Sequence, residues 1–223
     1  MSSFQDSAAL LAQSLRTRRD ILGRRSTGVT RESLNRLNEI SRATQFPVLR
    51  QSIYGKGRPD ADLMFVGEAP GSDEEESYEP FTGPAGDLLA KIIGAMGLTR
   101  EEVYIVSLPK AHSDPMAGFA DDQQQVLPAL RQQIASVRPR ILIALGQTSL
   151  NALSGGGQPI GAMRGRWLAF EGIPLLTTYH PSYLLRNGSN AEKRKVWEDM
   201  LLVMEKIGLP ITKQQRGFFR SAS

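Results

Sequence analysis

The chain contains no cysteine. That absence excludes disulfides, thiolate nucleophiles, cysteine zinc sites and cysteine-held iron–sulfur clusters. Histidine is scarce as well: His112 and His180 are too few for a histidine-rich metal centre. No apolar run is long enough to span a bilayer. The opening residues lack a secretory apolar core, so a cytoplasmic protein without membrane contact is the expectation. There is no Gly-x-Ser-x-Gly elbow, so a serine hydrolase is not indicated. A Walker loop, a Gly-x-Gly-x-x-Gly after a strand, an HExxH pair and an EF-hand loop are all missing too.

What is present suits one mid-sized domain with an arm: 223 residues, with ordinary apolar and charged fractions. The formal charge is only +4, so its distribution matters more than its size. Arginines crowd the first 42 residues, from Arg16 to Arg42, and the last residues add Lys213, Arg216 and Arg220. Acids gather at Asp73 to Glu76. A basic excess of this kind fits a phosphate-backbone partner, although for a charge run taken alone a solvated helical face is the favoured reading. The expected organisation is a basic helical arm over 1–39, a single domain over 40–207, and a flexible basic tail over 208–223.

The stretch from Asp62 to Gly86 organises the domain. Leu63, Met64, Phe65 and Val66 read as a buried strand, followed by a turn at Gly67-Glu68-Ala69-Pro70-Gly71. A helix is predicted from Pro84 to Met96, with Leu88, Leu89, Ile92 and Ile93 as its stripe. Further strands are predicted at 103–108, 140–145 and 174–179, and further helices from Asp121 or Asp122 to Val137, from Gly146 to Leu153 and from Ala191 to Ile207. Arg164 to Phe170 reads as a hairpin-like excursion, and the end of the chain after Pro210 as frayed. Strands alternating with helices predict an α/β layer with a mostly parallel sheet.

In such a sheet, ligands sit outside the carboxyl ends of the strands. Two turns follow buried strands: Gly67 to Gly71, and His180 to Arg186. Gly67 and Gly71 would let backbone approach a ligand, or simply serve a tight connection. Glu68 could orient a water. Phe81, in a loop, could stack on a planar ligand or plug the core beneath it. His180, fixed by Pro181, can donate to an oxygen that gains charge. Leu184 and Leu185 could be core, or an apolar wedge entering a base stack with Arg186 on a phosphate.

These residues, in this order, resemble the uracil-DNA glycosylase superfamily, in the pattern of its family 4 bacterial and archaeal enzymes. The motifs are Gly67-Glu68-Ala69-Pro70-Gly71, Pro80-Phe81-Thr82-Gly83-Pro84-Ala85-Gly86, Ala144-Leu145-Gly146 and His180-Pro181-Ser182-Tyr183-Leu184-Leu185-Arg186. The resemblance covers roughly residues 40–207. It implies a three-layer α/β/α fold around a four-stranded, mostly parallel sheet, with a flipped base held at the carboxyl edge. Glu68 would position or activate water, and His180 would bond the uracil O2 as the base leaves. Gly67, Ala69, Pro70, Gly71, Phe81 and Ser107 would contact the base or its flanking phosphate. The 182–186 loop (Ser182, Tyr183, Leu184, Leu185, Arg186) would hold the DNA open, and Arg164 is a further expected DNA contact. The implied function is a monofunctional, monomeric DNA base-excision glycosylase that leaves an abasic site. The rivals are a silent DNA-binding protein of the same fold and a small-molecule α/β enzyme using the Gly67–Gly71 turn for phosphate.

Two departures stand against the family pattern. The family's four cluster cysteines correspond by motif position to Ala43, Phe46, Ala111 and Val126, so no iron–sulfur cofactor is expected. The family's base-reading Asn corresponds to Ser107, a shorter side chain that can donate and accept. The pocket could therefore take uracil more weakly or accept hypoxanthine or xanthine. His112 could supply a replacement contact.

Overall fold

The computed structural model describes residues 55–68, 79–108 and 119–219. The expected arm, the Ala69-Pro70-Gly71 end of the first turn, the acid run and the loop holding His112 lie outside the described residues, as do Ala43, Phe46 and Ala111. Among the described residues, six strands form one sheet in the order β1-β3-β2-β4-β6-β5. They are β1 (Gly55–Gly57), β2 (Leu63–Gly67), β3 (Tyr104–Ser107), β4 (Ile141–Leu145), β5 (Trp167–Phe170) and β6 (Ile173–Thr178).

The expectation of four mostly parallel strands is corrected by this sheet. The inner four, β3-β2-β4-β6, are parallel, but β1 and β5 add antiparallel edges. β1 carries no apolar signature because it is the tripeptide Gly-Lys-Gly. Its glycines are required by close packing: a Cβ at Gly55 would collide with the Tyr104 ring. β5 turns back into β6 through Glu171 and Gly172, both with positive φ (50° and 82°), the conformation that suits a tight hairpin.

Strand alternation builds the layers. On one face, Leu63, Phe65, Ile105, Ile143 and Leu176 pack with Leu89 and Ile93 of α1 (Gly83–Ala95) and with Trp197, Met200 and Val203 of α6 (Asn190–Ile207). On the other, Met64, Val66, Tyr104, Val106 and Leu142 pack with Leu130, Ile134 and Val137 of α2 (Phe119–Val137). Ala152 and Leu153 of α3 (Gln147–Ser154) join that second face. Pro128 lies inside α2, which runs through it as one helix.

Short helices complete the chain: α4 (Ile160–Met163), α5 (Pro181–Arg186) and α7 (Lys213–Gly217). Two expectations change here. Residues 182–186, expected as a loop, form α5, because Pro181 suits a first helical position and His180 caps it. The segment after Pro210, expected to fray, carries α7, started by a full capping box between Thr212 and Gln215. It docks: Gln215 Nε2 donates to Ala95 O (2.8 Å), Trp197 Nε1 donates to Gln215 O (2.6 Å), and Phe218 leans on Trp197. No helix among the described residues is long and apolar enough to cross a membrane.

Candidate active site

The parallel inner strands all end on one edge. Gly67 pairs with Ser107 there, and Leu108 N–H donates back to Gly67 O (3.1 Å). Ala144 and Leu145 sit beside Thr177 and Thr178 in the same way. Glu68, Ser107, Gly146 and His180 therefore come from four strand ends that the sheet order brings together.

Glu68 leaves β2 toward the start of α3. Its Oε1 accepts the Thr148 N–H (3.0 Å), one of the donors that a helix N-terminus leaves unpaired. Gly146 makes this approach possible. Its φ is +94°, and a Cβ there would overlap the Glu68 carboxylate. The Gly146 N–H in turn donates to Thr178 O (2.9 Å), tying the end of β4 to the end of β6.

His180 follows Tyr179 directly after β6 and caps α5. Its Nδ1 accepts from the Ser182 N–H (3.2 Å) and lies 2.8 Å from Ser182 Oγ. An atom that accepts a backbone N–H carries no proton, so a neutral ring holds its proton on Nε2. Burial pushes the imidazole below its ordinary value; the Glu68 charge acts the other way, and Arg186 adds to the lowering. The ring is thus kept as a neutral Nε2–H donor.

Phe81 lies against His180 and Gly67. Its ring centroid is 5.3 Å from that of His180, and a Cβ at Gly67 would strike its edge. The residue is buried and has a positive φ of 57°, unusual for an aromatic residue. Arg100 holds the strained turn, donating to Phe81 O (2.7 Å) and to Pro80 O. Gly86 lets the turn close, since a Cβ there would collide with Phe81 O. Ser107 is buried at 5 % exposure beside Gly67.

The remaining expected residues separate on α5, which lies against α1. Leu184 is 3 % exposed and points into the interior; Leu185 is 51 % exposed. Of the two leucines, only Leu185 offers an apolar surface. Ser182 is engaged with His180, Tyr183 stacks on Tyr179 at 4.7 Å, and Arg186 is exposed. Arg164 turns inward: Nη2 and Nε reach the Asp199 carboxylate at 2.7 and 3.2 Å. A hollow of about 440 Å³ lined by Lys56, Arg58, Pro59 and Arg100 lies elsewhere, by the β1 edge. Its cations are engaged by Glu79, Asp60 and backbone carbonyls, so it competes poorly as a site.

Several participants escaped the sequence reading. Gly146 was visible in Ala144-Leu145-Gly146, but its steric duty to Glu68 required coordinates. Thr178 and Asp199 were missed. Asp199 had a signal: it falls in phase with Val196, Met200 and Val203 on the buried stripe of α6. An acid in that register is a buried acid needing partners.

An α/β domain whose parallel strands deliver a carboxylate, a neutral imidazole donor and an aromatic to one edge belongs to the class that binds its ligand beyond the strand ends. The Uracil DNA glycosylase superfamily matches residues 54–201, and the chain belongs to that superfamily. A type-4 uracil-DNA glycosylase of Thermotoga maritima is 37 % identical over 153 residues, covering 66 % of this chain and 79 % of the relative. Those of Saccharolobus solfataricus and Pyrobaculum aerophilum are 36 % and 34 % identical, covering 62 % and 61 % of this chain and 68 % and 74 % of the relatives. Membership supports a glycosidase-type DNA-repair hydrolase in general terms. An iron–sulfur cluster does not fit this chain, because there is no cysteine to hold it. Among the described residues, no group of three or more His, Asp or Glu could hold a metal.

Proposed function

We propose that this protein hydrolyses the N-glycosidic bond of uracil, or of another deaminated base, in DNA and leaves an abasic site. The observation that carries this reading is the fixed tautomer of His180, whose Nδ1 is occupied by the Ser182 N–H. The Nε2–H then donates to a base oxygen as the bond to C1′ breaks and the base departs as an anion. A donor aimed at developing charge in a dry site accounts for much of such catalysis, and losing one typically costs about 2.7–4 kcal/mol.

Glu68 faces the sugar side. Oε1 is held by α3, and Oε2 orients the water that adds to C1′. The carboxylate also stabilises the sugar cation and takes the proton released by the water. Phe81 walls the base pocket between Gly67 and His180. The backbone at Gly67, Ala69, Pro70 and Gly71 contacts the base or flanking phosphate, and Ser107 reads the base edge. Leu185 fills the gap left by the flipped base, with Ser182, Tyr183 and Arg186 along the strand. Leu184 supports α5 from inside.

A second reading, a silent DNA-binding protein, is favoured by one observation: Ser107 is short and buried where the family's pattern has Asn. Labelled single- and double-stranded oligonucleotides bearing one uracil, hypoxanthine or xanthine separate the two. After incubation and alkali treatment, strand cleavage at any of these bases supports the glycosylase. Salt-sensitive binding with no cut on any substrate sinks it and leaves the binder.

A further inference from the structure

We infer that Asp199 is a positioning residue that aligns both halves of the site, Glu68 and His180, by gripping Thr178. It rests on the glycosylase reading only for its effect on turnover.

The grip is made of short, buried bonds. Thr178 Oγ1 donates to Asp199 Oδ2 (2.6 Å), and Thr178 is 1 % exposed. Thr178 then serves two directions. Its carbonyl accepts from the Gly146 N–H, in the turn against which the Glu68 carboxylate rests. Its chain continues through Tyr179 to His180. A displacement of Thr178 therefore moves the Glu68 cradle and the imidazole together.

Asp199 is itself fixed. Arg164 pairs with it in a fork, and Arg164 Nη2 also donates to Lys195 O on the same helix. The guanidinium carbon sits 5.8 Å from the Tyr179 ring centroid, which stacks on Tyr183 of α5. Gly165 lets this pair form: its N–H bonds Thr177 O (3.1 Å), and a Cβ there would come within 2.8 Å of Asp199 Oδ1. Thr177 Oγ1 donates to Met163 O (2.9 Å) and clamps the same linker from the other side. A buried ion pair is a poor source of stability but a good source of fixed geometry, since every lone pair demands one partner arrangement. Arg164, expected on DNA, instead acts behind the site.

The test uses the full-length chain with Thr178→Val, which keeps the shape and deletes the hydroxyl, and Thr178→Ser, which restores it. The chain has only two histidines, so imidazole ¹⁵N signals are readily assigned with His180→Ala. In Thr178→Val the His180 signals should move. Turnover on the base that wild type cuts should fall about tenfold, the loss of one hydrogen bond's worth of alignment, with DNA affinity unchanged. Thr178→Ser should restore both. Phe218→Ala, far from the site, is the control for destabilisation and should move neither. A Thr178→Val spectrum that overlays wild type at His180 overturns the inference. A shifted His180 spectrum in a chain whose wild type cuts no base upholds the inference and counts against the glycosylase reading instead.

Discussion

The two ends of α1 are built differently. At its start, Phe81 takes a positive φ, Thr82 makes no side-chain cap, and the turn is held from a distance by Arg100. At its end, the chain relaxes through Gly97 (φ 77°), and α7 closes over it with a clasp made of the Trp197–Phe218 ring contact and the hydrogen bond from Gln215 Nε2 to Ala95 O. The start lies at the site; the end does not. Strained non-glycine backbone sits where an atom's position matters, and a glycine turn with ordinary docking contacts serves where only cohesion is needed. Helix α6 serves both regions. Its Asp199 is tied to the carboxyl edge by hydrogen bonds, while Trp197, two residues earlier, faces the clasp.

Breaking the site end should change rate more than stability. Glu68→Gln keeps an oxygen for the Thr148 N–H but removes the charge. Single-turnover cleavage should fall by about a hundredfold or more, with Tm nearly unchanged, the range expected for losing a general base. Equal rates would remove Glu68 from the chemistry. Gly146→Ala should damage both properties. Forcing a Cβ into this glycine-only backbone conformation (φ 94°, ψ 177°) costs on the order of 1–3 kcal/mol, and displacing the carboxylate adds to it. Denaturant unfolding and a cleavage assay should both register the change.

Asp199 sharpens the comparison through pH. Burial raises its carboxyl to about 6, against the opposing pulls of Thr178 and Arg164. The folded state then holds this proton to higher pH than the unfolded chain does. Stability relative to Asp199→Asn should therefore be greatest near pH 4 and decline as pH rises through about 6, by something on the order of 1–3 kcal/mol. Urea titrations of both chains across that range would show it, and parallel curves would refute it. Phe218→Ala, at the clasp, should have the smallest effect: roughly 1–2 kcal/mol of stability and no change in cleavage, because the ring is only half-buried.

The sequence made the inner fold readable because β2 and β4 are short, continuous apolar runs bounded by turns. Residues 47–59 read as extended, punctuated by Gly55 and Gly57, but the pairing of Gly-Lys-Gly with β3 could not be read because it packs its glycines against Tyr104. α7 was legible in principle from Thr212 and Gln215, but its docking depends on Trp197, eighteen positions away in the chain. At the site, Glu68 and His180 stood out because each follows a buried strand. Arg164 looked like a surface cation because its partner is far along the chain and on another helix. Leu184 and Leu185 are indistinguishable as letters; only the helical turn of α5 separates the buried one from the exposed one.

On the proposed mechanism, a neutral His180 donor drives departure of the base. The most direct measurement compares wild type and His180→Ala in single-turnover cleavage of a uracil oligonucleotide, with binding of the same DNA measured in parallel. A rate loss of roughly a hundredfold to a thousandfold is expected in His180→Ala, with DNA affinity retained. Cleavage by His180→Ala at the wild-type rate would contradict it.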